Sequence, residues 1–584
     1  MSDTLSLLRG ALVAQNLDGF LLPVNDEFMG EYVPDCAKRL TWLTGFSGSA
    51  GLAVVLKDKA AFFTDGRYTL QSAAEVPAAY EHHNSGDLTP YEWLAEQAPS
   101  EAVIGYDPKL HTLQTLRRFE QTAPGFAFKP ILPNPIDALW KDRPAAPASK
   151  VRIQPAQIAG ESSQSKRERV AKLIAAHEAQ CAVITAPDSV CWLLNIRGSD
   201  VPFTPFVLAY AVLEVDAKMK FYIDASRISA EVLEHLGKGV TVRPPDALVD
   251  DLKGYAGRKV MVDSAGSPIW FYQQLGRGKA HSIEASDPCL LPKACKNDKE
   301  LVGMREAHKR DGLAVTRFLH WVATVDKKNL TEMDVAEKLE AFRKESKLYL
   351  EPSFTTIAGS GPDGAIVHYR VTKESNRTLD DNSLLLLDSG GQYQDGTTDI
   401  TRTVALGTPS AEMKDRFTRV LKGHIALACA VFPEGTGGSQ LDALARQYLW
   451  QAGLDYDHGT GHGVGSYLSV HEGPQRISKR AGDAPLAPGM VVSNEPGYYK
   501  AGEYGIRIES LVAVKEIKKD VGGKRYFGFE TLTLAPIDLS LIEHSMLNAE
   551  EASWLKEYHK KVYEIHKPNL SPAIAEQLKE ALKL

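Results

Sequence analysis

The sequence predicts a multidomain chain of mixed α/β and α+β class: two N-terminal α/β domains followed by a larger α+β domain with a curved antiparallel sheet. Three observations predict this. The chain has 584 residues, several times the ~100–200 of a usual domain. Strand-like apolar runs alternate with helical periodicity through the first half, whereas later strands are short and separated by glycine-rich turns. Two proline-bearing stretches, 143–148 and 287–292, interrupt the periodicity and read as a stiff exposed linker and a second boundary. The expected domains are therefore 1–148, 149–292 and 293–584.

In chain order, the first domain has strands at 19–24, 51–56 and 61–65, with Trp42 and Leu43 between the first two. The second domain repeats the series with strands at 182–185, 206–212 and 221–224, Trp192 and Leu193 in the matching place, and helices at 167–179 and 230–236. The two blocks read as an internal duplication. The third domain opens with capping residues at Asn297 to Glu300 and an amphipathic run over 301–324 that predicts a long helix. Strands follow at 383–388, 400–405, 489–495 and 505–514, with helices at 411–431 and 440–451, the latter capped by Ser439.

Composition excludes several function classes. With 43% hydrophobic and 24% charged residues the chain is of ordinary globular type, and no apolar stretch approaches the ~20 residues of a membrane-spanning helix, so no membrane partner is expected. Lys plus Arg at 67 against Asp plus Glu at 74 gives −7, the wrong sign for phosphate-backbone binding, so no nucleic-acid partner is expected. The 6 cysteines form no C-x-x-C pair, and the opening stretch lacks the basic head and apolar core of a leader. Reduced thiols in a cytoplasmic protein are expected.

The chemistry gathers at strand ends in the third domain. A four-leucine strand, buried on both faces, ends in Asp388, and the Gly390-Gly391 and Asp395-Gly396 signals let Asp399 return opposite it on the neighbouring strand. Asp beside Gly is ordinarily a turn residue, but two carboxylates at the end of a buried strand repel unless a cation holds them. The stretch 491–495 repeats the pattern and ends in Glu495, and the alternation over 504–509 puts Arg507 and Glu509 on one face. An imidazole comes from the segment H-G-T-G-H-G-V-G at 458–465, which carries His458 and His462; His471 follows, and His368 ends another apolar run. Alternating glycines exclude a helix there and imply backbone passing close to a neighbour, while the G-x-G-x-x-G pattern and a Walker lysine are both missing, which disfavours phosphate cradling. Four carboxylates and one imidazole suffice to hold two hard divalent ions. Such a pair ~3.5–4 Å apart acidifies a shared water and polarises a carbonyl, as amide hydrolysis without a covalent intermediate requires.

The order Asp388, Asp399, His462, Glu495, Glu509, within D-S-G, T-T-D-I-T-R-T, H-G-T-G-H-G-V-G, N-E-P-G-Y-Y and G-I-R-I-E, resembles the metallopeptidases of the pita-bread fold, in the long three-domain form with two creatinase-like N-terminal domains. The resemblance covers essentially the whole chain, including a C-terminal extension at about 531–584. It implies an aminopeptidase that removes the residue preceding a proline at the second position of a peptide. Asp388 would bind one metal, His462 and Glu495 the other, and Asp399 and Glu509 both; manganese is the expected metal, with zinc or cobalt as alternatives. Glu495 would also be the general base, with His368, His458 and His471 handling substrate and protons, and Arg507 and Tyr499 supporting the substrate site. Arg67 would reach the substrate of a neighbouring subunit in a homodimer. A dipeptidase of the prolidase type, with the same ligands, is the nearest alternative.

Overall fold

The computed structural model describes residues 2–482 and 484–584. The chain divides into two compact units, Met1–Pro292 and Lys293–Leu584. The first unit holds two six-stranded sheets, and the expected boundary near 149 falls in the chain between them. One sheet runs Glu81–Asn84, Ala60–Thr64, Leu52–Leu56, Gly19–Pro23, Val103–Tyr106, Ala127–Pro130; the other runs Val240–Arg243, Met219–Tyr222, Tyr210–Glu214, Cys181–Ile184, Lys259–Val262, His281–Glu284. In each, the first strand in the chain pairs antiparallel with one neighbour and parallel with the other, and both outer strand pairs are parallel. The duplication read from sequence thus appears as one topology built twice. The strand expected at 206–212 starts later, at Tyr210, because Asp200 accepts the Leu208 N–H at 2.7 Å and holds that approach off the sheet.

The second unit opens with the predicted long helix, Asp298–Thr324, closed at its start by Asn297 and Glu300 in a reciprocal capping box. One face of this helix, with Val315, Phe318 and Val322, packs against Leu385, Leu387 and Ile400. Leu385 and Leu387 lie on one side of the strand Leu384–Ser389, while Leu384 and Leu386 join clusters on the other. The strand is therefore buried on both faces, and each leucine contributes about 1.5–3 kcal/mol of burial. Its neighbours in a three-stranded antiparallel sheet are Ile357–Ser360 and Ile400–Ala405.

The antiparallel sheet comes in pieces. A six-stranded sheet runs Val431–Pro433, Lys524–Thr531, Ser510–Val521, Val491–Asn494, Gly461–Gly463, Glu472–Ile477, and a two-stranded ribbon joins Gly497–Lys500 to Tyr504–Arg507. The strand expected over 505–514 breaks at Ile508 and Glu509, since the Glu509 N–H leaves for Thr401 O at 3.1 Å and the Ile508 N–H for Pro496 O at 3.3 Å. The helix expected from 440 is Gly438–Trp450, with Ser439 inside it; Gly437 is the cap, and its N–H is satisfied by the Gln440 side chain at 2.8 Å. The helix expected over 411–431 ends at Ala428, and Val431–Pro433 is a strand. All 6 cysteines are free thiols. Among the described residues no helix is long and apolar enough to cross a membrane.

Candidate metal centre

Three parts of the second unit deliver the ligand candidates. Asp388 and Asp399 come from the three-stranded sheet, in a register that differs from the expected one: Asp388 lies opposite Thr401, and Asp399 precedes Ile400, which pairs with Ser389. The aspartates are thus diagonal neighbours, and the intervening Gly391–Tyr393 and Gly396–Thr397 form a small sheet of their own with Tyr349–Pro352. His462 and Glu495 come from the six-stranded sheet, one within Gly461–Gly463 and the other just past Val491–Asn494. Glu509 stands at the break between ribbon and sheet, where Thr401 Oγ1 donates to its Oε2 at 2.7 Å.

These groups converge. Ligand atoms of Asp399, His462 and Glu509 lie within 4.8 Å of one another. His462 Nε2 is 3.4 Å from Asp399 Oδ2 and 3.7 Å from Glu495 Oε1. Its Nδ1 lies 3.0 Å from Gly463 O, a carbonyl that only accepts, so in the neutral ring Nδ1 carries the hydrogen and the Nε2 lone pair faces the carboxylates. Asp388 Oδ2 accepts from Arg507 Nη2 at 2.7 Å. The positive partner demanded by the Asp388 carboxylate is thus partly supplied by the chain itself.

The electrostatics show how far one guanidinium falls short. Burial first, then the neighbouring carboxylates, push Asp388 up to about 6 despite Arg507. Burial, then Asp399, Asp388 and Glu495, raise Glu509 well above the usual carboxylate range, and burial with Asp399 raises Glu495. His462 goes the other way from what burial dictates: the Asp399 and Glu495 carboxylates pull it up to about 9. Asp388 Oδ1 and Asp399 Oδ1 are buried with no hydrogen-bond partner among the described residues. Unpaired carboxylate oxygens beside an imidazole nitrogen form a hard oxygen-and-nitrogen donor set that fits divalent cations.

Around the ligands, Tyr499 OH accepts from Arg507 Nη1 at 2.5 Å and lies 2.8 Å from His458 Nε2. His458 Nδ1 donates to Gly459 O at 2.8 Å, so the neutral ring takes its second hydrogen bond from Tyr499. Arg507, Tyr499 and His458 therefore form one chain leading away from Asp388. His471 stands edge-on to His462 with ring centroids 4.4 Å apart. His368 lies in the turn after Gly361–Ala365, beside Val367, whose carbonyl accepts from Arg507 Nη2 at 3.3 Å. The glycine alternation has a steric cause: a Cβ on Gly461 would collide with Ser493 O, and one on Gly463 with Glu472 O.

Comparison with known proteins identifies the family. Residues 302–516 match metallopeptidase family M24, 525–583 match the C-terminal region of peptidase M24, and 5–139 and 142–300 each match the creatinase/prolidase N-terminal domain. The chain is 40% identical to a probable Xaa-Pro aminopeptidase P of Aspergillus flavus, over 96% of its own length and 89% of the relative's. The chain belongs to metallopeptidase family M24. A similar protein of Aspergillus niger, also described as a probable Xaa-Pro aminopeptidase P, is 40% identical over 96% of this chain and 95% of its own. The crystal structure of the Caenorhabditis elegans X-prolyl aminopeptidase, described as a cytosolic enzyme with a di-nuclear active site, superimposes with a TM-score of 0.95 at 33% identity and covers 99% of both chains.

In this M24 chain Arg67 belongs to the first unit, where Asp65 takes its guanidinium in a two-pronged pair at 2.9 and 2.8 Å. Several residues that contact these groups or their neighbours escape a reading by motif. Ser493 Oγ accepts the His462 N–H at 2.9 Å and donates to Glu495 Oε1 at 3.2 Å; Thr401 joins Glu509 to Arg507 Nε. Glu472, next to His471, is clasped by Lys293 and Lys296 at 2.7 and 2.5 Å, all three side chains at most 1% exposed. Arg446 braces the approach to His458, with hydrogen bonds to Asp442, Asp455, Tyr456 O and His458 O. Thr401 and Ser493 had a signal in the sequence, the two-residue period that puts them on the faces of Asp399 and Glu495. Replacing Arg446 with Met leaves Asp442, 2% exposed, without its charge partner. A loss of about 3–5 kcal/mol in chemical denaturation is expected.

Proposed function

We propose that this M24 chain is an Xaa-Pro aminopeptidase, hydrolysing the bond between an N-terminal residue and a following proline in peptides. The observation that carries the reading is the gathering of Asp399, His462 and Glu509 ligand atoms within 4.8 Å, beside the unpaired oxygens of Asp388 and Asp399. Asp388, Asp399, His462, Glu495 and Glu509 would hold two divalent cations, manganese first among the candidates. When bound, such a pair supplies an acidified water and polarises the scissile carbonyl.

The side chains do the rest. Glu495 takes the proton released by the attacking water at its carboxylate and returns it toward the leaving nitrogen. His471, edge-on to His462, faces the reacting carbonyl, and its ring N–H stabilises the developing oxyanion. His368 contacts the proline side. Arg507 and Tyr499 keep Asp388 and His458 in place, so their loss affects turnover through geometry. Proline offers neither an amide hydrogen nor a free φ, so recognition must come from a shaped pocket rather than from strand-like pairing. The chain is read as three domains, 1–148, 149–292 and 293–584, in a cytoplasmic homodimer that brings Arg67 to a partner's substrate.

Assays on an Arg-Pro-Pro-initiated peptide beside the Arg-Pro dipeptide test the reading. Release of free arginine from the longer peptide, dependent on added Mn²⁺, is expected. Cleavage confined to the dipeptide would move the protein to the dipeptidases, and equal cleavage of peptides lacking the proline would remove the specificity altogether.

A further inference from the structure

Glu332 is the first residue of the helix Glu332–Lys344, just after the cap Thr331, and its side chain is fully buried. No lysine or arginine pairs with its carboxylate among the described residues, and burial, foremost among the causes, pushes it up to about 7. A buried carboxylate without a cation is destabilising unless its oxygens are well used. Both are used. Oε1 accepts the Ser360 N–H at 2.7 Å, and Oε2 accepts the Tyr369 hydroxyl at 2.8 Å. Ser360 ends the strand Ile357–Ser360 and Tyr369 follows His368, so one carboxylate brackets the whole 361–368 segment.

The bracket works against two fixed points on the other side. The Val367 carbonyl accepts from Arg507, which also holds Asp388. Gly364 lies so close to Gly505, on the strand that carries Arg507, that a Cβ on Gly505 would collide with Gly364 O. His368 is therefore suspended between a residue tied to Arg507 and a residue tied to Glu332. The Ser375 hydroxyl and carbonyl lie 3.2 and 3.1 Å from the same Tyr369 oxygen, and the Glu332 N–H returns to Arg377 O at 3.1 Å, which extends the clamp past His368.

We infer that Glu332, through Tyr369, is a positioning residue for His368: it holds the 361–368 segment at the register that presents this histidine to substrate. The inference rests on the reading of His368 as the proline-side histidine. It assigns Glu332 no contact with substrate or metal.

A double-mutant cycle on metal-loaded enzyme tests it, with an Arg-Pro-Pro-initiated peptide assayed well below each variant's melting temperature. Tyr369→Phe is expected to lower kcat/KM about tenfold while bound-metal content is unchanged, and to cause no further loss in a His368→Ala background. Glu332→Leu is expected to behave like Tyr369→Phe. Glu332→Gln, whose amide can still accept from Ser360 and meet the Tyr369 oxygen, is expected to stay within about threefold of the parent. Losses from Tyr369→Phe and His368→Ala that multiply independently would overturn the inference, as would a Tyr369→Phe enzyme of unchanged kcat/KM. If Glu332→Leu does not fold, Tyr369→Phe decides alone. A His368→Ala enzyme as active as the parent would instead defeat the reading of His368 itself, which separates the two failures.

Discussion

Glu509→Gln should abolish turnover and, in the metal-stripped protein, raise the melting temperature. The two effects have one cause. Among the described residues Thr401 is the hydrogen-bond donor to the Glu509 carboxylate, which faces Asp399, Asp388 and Glu495, so its charge is disfavoured until a further cation is present. An amide in its place keeps the shape and the Thr401 hydrogen bond but cannot supply the negative charge two cations need. A fall of at least about 10³ in kcat/KM, or about 4 kcal/mol of transition-state stabilisation, is expected. Without metal the parent folds only by keeping a proton on Glu509 that the unfolded chain would release, a cost the amide does not carry, and the folded state gains. Calorimetry of chelator-treated parent and variant measures this directly. A variant that is inactive and also less stable without metal would mean that Glu509 is a structural acid rather than half of a cation site.

The second large effect is the divergence of metal-loaded and metal-stripped protein with pH. In the stripped protein Asp388, Glu495 and Glu509 all hold protons more tightly folded than unfolded, and so does His462. Each shift is upward. Each such group contributes stability that is complete below its unfolded pKa and lost as pH rises through its folded pKa, so this cluster's contribution to the stripped protein falls from about pH 4 to about pH 9. Cations bind these ligands only when they are deprotonated, so the loaded protein gains over the same range. The gap in melting temperature between the two forms should therefore widen steadily from about pH 5 to about pH 9, and activity lost on chelation should return with a divalent ion. Ionisable groups elsewhere act alike in both forms and cancel in the difference. A gap that stays flat or narrows over this range would show that the cluster does not bind the ions.

Much of this site is legible in the sequence because its parts announce themselves locally. An apolar strand ending in Asp388 or Glu495 and a glycine alternation around His462 need no knowledge of distant partners. The duplication of the first two blocks was legible for a similar reason, since each series repeats within its own stretch, but half the strands of each six-stranded sheet and their order were not. What escaped depends on long-range pairing. Lys293 and Lys296 lie 179 and 176 positions from Glu472, and lysines and glutamates ordinarily read as solvated surface. Arg446, on an amphipathic helix, reads as an outward-facing residue until the 455–458 stretch is seen folded over it. The break at Ile508 and Glu509 was hidden because the alternation of side chains runs on across it: Ile506 and Ile508 are both buried in one cluster, and only the backbone partners change. Periodicity reports which face a side chain takes, and it is silent about which strand the backbone joins.

The crowding at Gly461 and Gly463 separates two things that a motif search merges. Those glycines are required by carbonyls of adjacent strands, so they belong to the architecture, whereas the histidine between them turns a ring nitrogen to the Asp399 and Glu495 carboxylates. A descendant of such a chain that abandoned hydrolysis for some other trade would be free to shed Asp399, His462 and Glu509 yet obliged to keep the glycines. Ancestry and occupation are written in alternate letters of the same short word.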